Sequence, residues 1–154
     1  MHIVTNSILK SLDSENWFAA LFISLALPGL CGDIEFSSAN ELEKYKKWFD
    51  TNLHSDYKGL INGEDCFYLQ QALFFKQIEP VHREIVGRFH FLLPENFNNQ
   101  YVHKSIVEGV LQLHLKQFCI DVTKAFERWI DKINLTNDTK KKLESLSQVP
   151  FNLK

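Results

Sequence analysis

Apolar positions along this chain recur mostly at helical spacing. Near the start, Ile8, Leu9 and Leu12 share one side of a short helix expected over Thr5 to Leu12. Ser14 to about Leu27 is apolar on every side, the mark of a helix surrounded by protein, and Pro28-Gly29 is expected to end it. Ser38-Ala-Asn-Glu41 has capping-box spacing and opens a third helix. There Leu42, Tyr45, Phe49 and Leu53 share a face, with Glu43 and Lys47 paired opposite. Asn62-Gly63-Glu64-Asp65 starts a fourth helix, about Glu64 to Gln77, because carboxylates are favoured at the positive end of the helix dipole. Cys66, Leu69, Ala72 and Leu73 should face inward along it, and Pro80 should stop it.

The period then shortens. Ile85, Phe89, Phe91 and Leu93 alternate with polar Glu84, Arg88 and His90, which predicts a half-buried strand closed by Pro94. Residues 96–100 are Asn-rich and read as a loop. Val110 to Leu115 alternates weakly and is expected to pair with the first strand as a hairpin. The cleanest amphipathic signal follows, with Leu115, Phe118, Cys119, Val122, Phe126, Trp129, Ile130 and Ile133 on one stripe. Thr136-Asn137-Asp138 caps a last short helix carrying Lys140, Lys141 and Lys142. The expected fold is one mainly α domain over residues 1–154, a helical bundle of five or so helices with a small β-hairpin insertion.

Composition alters this picture at one point. The chain holds 13 Phe beside 3 Trp and 4 Tyr, an aromatic excess suited to a packed core or a subunit interface. The net charge of −2 supplies no global field for a polyanion, so no DNA partner is expected. Trp17 to Leu30, followed by Cys31, imitates an export signal. Acidic Asp13 and Glu15 precede the run, and bulky Leu30 stands where cleavage needs a small residue. Its 14 residues also fall short of the roughly 20 that cross a bilayer. The expectation is a buried helix in a cytoplasmic protein without membrane contact. Three widely spaced cysteines, Cys31, Cys66 and Cys119, suit a reducing compartment.

Candidate chemistry is sparse. The six histidines (His2, His54, His82, His90, His103, His114) form no helical i,i+4 pair. His114 stands five residues before Cys119, but one imidazole and one thiol do not make a zinc site, so no metal is expected. Cys66, near a helix start, is the best-placed thiol; its place on the Leu69–Leu73 stripe makes it a core residue. No nucleophile elbow, P-loop or dinucleotide fingerprint occurs, and no cofactor is expected. Glu64-Asp65 and Glu41/Glu43 have simpler uses in capping and surface pairing, and the lysine run reads as a solvated helix face.

Four blocks, WFAALFISLALPGLCGDIEF (17–36), YKKWFDTNL (45–53), GEDCFYLQQALFF (63–75) and FCIDVTKAFERWI (118–130), together resemble small bacterial proteins of the HEPN superfamily, of the kind carried on plasmids and other mobile elements. The resemblance implies a helical bundle that forms a homodimer. It also implies a link to RNA, since many HEPN proteins are metal-independent ribonucleases of toxin–antitoxin or antiviral systems. Their signature is an Arg followed, after four to six residues, by a His, with two copies brought together on dimerisation. Arg would stabilise charge at a phosphate and His would move protons. Here GEDCFYLQQALFF places Gln70 where the Arg belongs and Phe75 where the His belongs. Gln carries no charge and Phe cannot titrate, so the resemblance implies a HEPN-like scaffold with an emptied site, acting by binding a second copy, a protein partner or uncleaved RNA. The alternatives are a ribonuclease that uses other residues, for which Arg83 and His90 have a permitted spacing, and a structural interaction module presenting surface Phe and Trp.

Overall fold

The computed structural model describes residues 2–75, 80–94, 101–133 and 136–147, with no side-chain description for His2, Phe75, Pro80, Val81, Leu146 or Ser147. Among the described residues the helices are α1 (His2–Asp13), α2 (Trp17–Glu35), α3 (Glu41–Asn52), α4 (Gly63–Phe75), α5 (Pro80–Gly87), α6 (Leu115–Lys132) and α7 (Asn137–Ser147). A 3-10 turn, His54–Tyr57, follows α3, and three strands, β1 (Phe89–Leu92), β2 (Ser105–Val107) and β3 (Val110–His114), lie between α5 and α6. The mainly α architecture with a small β insertion is as expected. The Asn-rich loop expected at 96–100 and the last two residues of the expected fourth helix, Lys76 and Gln77, lie outside the described residues.

Helix α2 is the axis of the bundle, in contact with α1, α3, α4, α6 and α7. It begins under an Asn16 cap, whose Oδ1 accepts from the Ala19 N–H at 3.2 Å. It does not stop at Pro28: that proline is buried inside the helix, which runs on to Glu35. An interior proline costs about 3 kcal/mol through its lost N–H and its clash with the preceding turn. Burial on several sides offsets that cost here. Close to the proline, the Tyr45 hydroxyl donates to the Leu25 carbonyl at 2.8 Å and ties α3 to α2. Gly32 then lets α3 come close; a Cβ there would stand 2.6 Å from the Lys44 carbonyl oxygen. Gly63 serves the α3–α4 contact in the same way, 2.6 Å from Lys46 Cα.

Local signals placed most helix starts. Asn62 and Asp65 form a reciprocal capping box at α4: Asn62 Oδ1 accepts from the Asp65 N–H at 2.9 Å and Asp65 Oδ2 accepts from the Asn62 N–H at 3.1 Å. At α3 the cap is Asn40 rather than Ser38, since Asn40 Oδ1 accepts from the Glu43 N–H at 2.9 Å. The expected Glu43–Lys47 pair is replaced by Glu43–Lys46 at 3.7 Å, while Lys47 lies 5.7 Å from the Phe36 ring centre. Thr136 Oγ1 caps α7 by accepting from the Thr139 N–H at 3.2 Å.

The segment after α4 departs from expectation. Pro80 opens α5, in the first-turn position where its missing N–H is harmless, and the stretch between Phe75 and Pro80, where the fourth helix is expected to end, lies outside the described residues. Ile85 and Arg88 therefore lie before the strand, which is confined to Phe89–Leu92. No hairpin joins it to Val110–His114: β1 pairs with β3 in parallel, Phe89 opposite Leu111, and the antiparallel hairpin is β2–β3. Glu108 and Gly109 turn that hairpin with φ of 49° and 80°, the left-handed geometry a two-residue loop requires. The sheet order is β1-β3-β2. Its inner face packs on α6, with the Phe91 and Phe118 ring centres 5.1 Å apart. The α6 stripe is as periodic in space as in sequence, burying Leu115, Phe118, Cys119, Val122, Phe126 and Trp129. Trp129 stands edge-on to the fully buried Trp48, ring centres 6.0 Å apart.

Candidate functional site

Helices α2 and α4 leave a cleft of about 410 Å³ between them. Its lining includes Ala26, Gly29 and Leu30 from α2, Tyr45 from α3, and Phe67, Gln70, Gln71 and Phe74 from α4. Asp33 and Glu41 stand at its edge. Gln70 is half-buried and faces this cleft rather than the core. Phe75 ends α4, and its side chain lies outside the described residues. One end of the cleft continues into aromatic surface: the Phe22 ring lies 3.7 Å from that of Phe74 and 5.8 Å from that of Phe18. Phe18 is 62% exposed, an unusual setting for so large an apolar side chain on the central helix. The charged group nearest the floor is spoken for, with Asp33 Oδ1 2.8 Å from Lys44 Nζ. Beside the Asp33 and Glu41 carboxylates the lining is aromatic rings and neutral amides, which offer no cation to a phosphate.

The other sequence candidates are dispersed. Arg83 is exposed on α5 and His90 is exposed on β1; among the described residues no hydrogen bond or ion pair joins them. His90 faces a second hollow, on the outer side of the sheet with Leu92, Val107 and Gln112, to which Arg83 does not contribute. Cys66 is fully buried, and burial, reinforced by the Asp65 and Asp50 carboxylates, pushes its thiol well above the ordinary range. Cys119, also buried, is pushed up to about 12, chiefly by desolvation. Neither thiol is a nucleophile in this setting. Among the described residues no group of three or more His, Cys, Asp or Glu side chains is placed to share a metal ion.

A second constellation went unnoticed in the sequence. At the junction of β3 and α6, Asp121 gathers four donors. The Tyr57 hydroxyl donates to its Oδ2 at 2.9 Å and the Gln117 amide to its Oδ1 at 2.8 Å, while His103 Nε2 lies 3.5 Å and Lys104 Nζ 3.8 Å from Oδ2. Burial alone would raise this carboxyl, but the hydrogen bonds from His103, Gln117 and Tyr57 and the Lys104 charge bring it below its ordinary value. Lys104 also sits 4.3 Å over the Tyr57 ring and donates to the Asp56 carbonyl at 2.8 Å. His114, five residues before Cys119 in the chain, is not a ligand. It is the N-cap of α6, its Nδ1 accepting from the Gln117 N–H at 3.3 Å. The only advance signal was a histidine standing directly before the strongest amphipathic helix, a place where Ser, Asp or Asn is usual.

Helix α2 is the one described helix long and apolar enough to cross a membrane, and half of its most apolar window is buried against the rest of the chain. No protein-family model, curated protein or solved structure matches the chain.

Proposed function

We propose that this chain is a HEPN-like cytoplasmic binding module that pairs with a second copy of itself through the α2–α4 face and does not cleave RNA. The observation that carries the reading is the position of Gln70. It lines an open, aromatic-walled cleft, as a residue standing in for a dimer-site Arg should, yet it brings no charge there. The exposed Phe18 and Phe22 rings extend the same face, and burying them against a twin would remove apolar surface from water at about 25 cal/mol per Å². RNA or a further protein is then held by the assembled pair.

Light scattering tests the pairing. The wild-type chain is expected to run as a dimer at micromolar concentration, and Phe22→Glu to run as a folded monomer with unchanged far-ultraviolet dichroism. A monomeric wild type would sink the reading. A ribonuclease assay tests the silence of the site: no cleavage is expected from the wild type, and none from Arg83→Ala or His90→Ala. Cleavage by the wild type that either substitution abolishes would replace this reading with the enzymatic one. Gln70→Arg combined with Phe75→His asks whether the scaffold can still host the lost pair.

A further inference from the structure

Both histidines at the start of α6 are used as hydrogen-bond acceptors, an uncommon duty for imidazole. His103 Nδ1 accepts the backbone N–H of His114 at 3.0 Å, and His114 Nδ1 accepts the backbone N–H of Gln117 at 3.3 Å. A nitrogen that accepts from an amide cannot carry a proton, so the His114 ring serves as a cap only while neutral, with its hydrogen on Nε2. The relay closes on itself. The Gln117 side chain donates to Asp121 Oδ1, and Asp121 Oδ2 faces His103 Nε2, whose side chain is only 6% exposed. The ring thus ties the segment 101–104, the end of β3 and the first turn of α6 into one unit.

We propose that this junction is an acid-sensitive latch, closed by the neutral His114 imidazole and opened when it takes up a proton. Protonating His114 turns its acceptor into a donor against the Gln117 N–H. It also places a cation at the positive end of the α6 dipole. Lys116, which follows in α6, and His103, across the relay, oppose that cation, while the Tyr101 ring, 5.0 Å away, covers one side. Burial, then His103 and Lys116, accordingly keep the His114 imidazole below its ordinary value of 6.5.

The Nε2 edge of His103 faces Asp121, a carboxylate that Lys104 and Tyr57 also share. Asp56, the remaining carboxylate at this end, is held by Arg128 at 2.8 Å and leaves the balance unchanged. The backbone is primed to move, since Lys104 is held at φ 61°, a left-handed conformation that a side-chain-bearing residue leaves readily once its contacts fail. Opening frees the first turn of α6, including Phe118, whose ring packs between Phe91 and Tyr57.

The sign follows from linkage. A folded-state value below the unfolded 6.5 means that the unfolded chain binds more protons, so the stabilisation is whole above that pH and is lost as pH falls below it. The test uses the intact chain labelled with nitrogen-15. Imidazole nitrogen shifts follow the protonation of His103 and His114, and amide exchange, corrected for its intrinsic rate, follows the His114 and Gln117 N–H groups.

From about pH 7.5 to about pH 5, protection of both amides is expected to fall roughly fivefold relative to the mid-helix Val122 amide, the worth of one lost cap. His114→Asn keeps a capping oxygen that does not titrate, and it should abolish the fall at Gln117. Imidazoles that become charged while both amides stay protected would overturn the latch. So would a His114→Asn chain that keeps the full pH dependence. If that variant folds poorly, the wild-type titration decides alone.

Discussion

The α2–α4 cleft and the β3–α6 junction are opposites in composition. The cleft is where family resemblance directs attention, and its lining offers neutral amides, aromatic rings and two carboxylates, with no cation. The junction attracts no attention in the sequence, yet it collects two imidazoles, a carboxylate, a phenol and an ammonium group. Reactive residue types alone would nominate the junction as an active site. The hydrogen bonds argue otherwise, because most polar atoms there are engaged by one another, and the buried His103 Nε2, which makes no hydrogen bond, faces the Asp121 carboxylate at 3.5 Å. A catalytic group needs an unsatisfied valence aimed at a place where substrate can sit. The contrast separates two meanings of a polar site: groups held apart for a ligand, and groups spent on one another to fasten the chain.

That contrast can be broken in order of size. Asp121→Ala should be the most damaging change, since it strips the acceptor from Tyr57, Gln117 and His103 at once; a loss of about 3 kcal/mol is expected in urea unfolding. A loss below about 0.5 kcal/mol would mean that water replaces the carboxylate and that the cluster fastens nothing. Tyr57→Phe removes a single donor from a buried ring and should cost about 1 to 2 kcal/mol in the same measurement.

Acid comes next. Unfolding midpoints recorded down from neutral pH should decline in two separate windows. The first lies below 6.5, as His114 regains its proton preference in the unfolded chain, and the second lies below 3.8, where the depressed Asp121 carboxyl is finally protonated. In both cases the folded value is the lower one, so both declines run in the same direction. On the cleft side the expected stability effects are smallest. Gln70→Arg, at a half-buried side chain that meets the open cleft, should change monomer stability by less than about 0.5 kcal/mol, and Phe22→Glu, which loses the Phe74 contact, by about 1 kcal/mol. Their main effect should appear in association. A large loss of stability from either would make the cleft part of the core and remove the distinction.

Legibility of the fold tracked the range of the forces involved. The α6 stripe was readable because burying one side of a helix imposes a 3.6-residue period on whatever occupies it. The Asn62–Asp65 box was readable because both partners lie within one turn. Reading failed at Pro28, where local preference says stop and five packed neighbours hold the helix together. It missed the helix that opens at Pro80, because a proline fits the first turn of one helix as well as the end of another. The sheet was half visible. Alternation identified Phe89 and Phe91 as inward, but it cannot distinguish a parallel from an antiparallel neighbour.

The candidate sites divide along the same line. Gln70 could be singled out because a motif is a matter of spacing, and its place in a cleft agrees with a helix that turns Cys66 and Leu69 inward. The Asp121 cluster could not be found that way. Tyr57 and Asp121 stand 64 residues apart, and the histidine between them bonds a backbone amide that carries no sequence signature. Composition and periodicity thus settled which surfaces must be hidden, since apolar area and helical repeat are written one residue at a time. Which polar groups meet, and whether they stay available for chemistry, was decided only when the packed bundle brought distant segments within hydrogen-bonding reach.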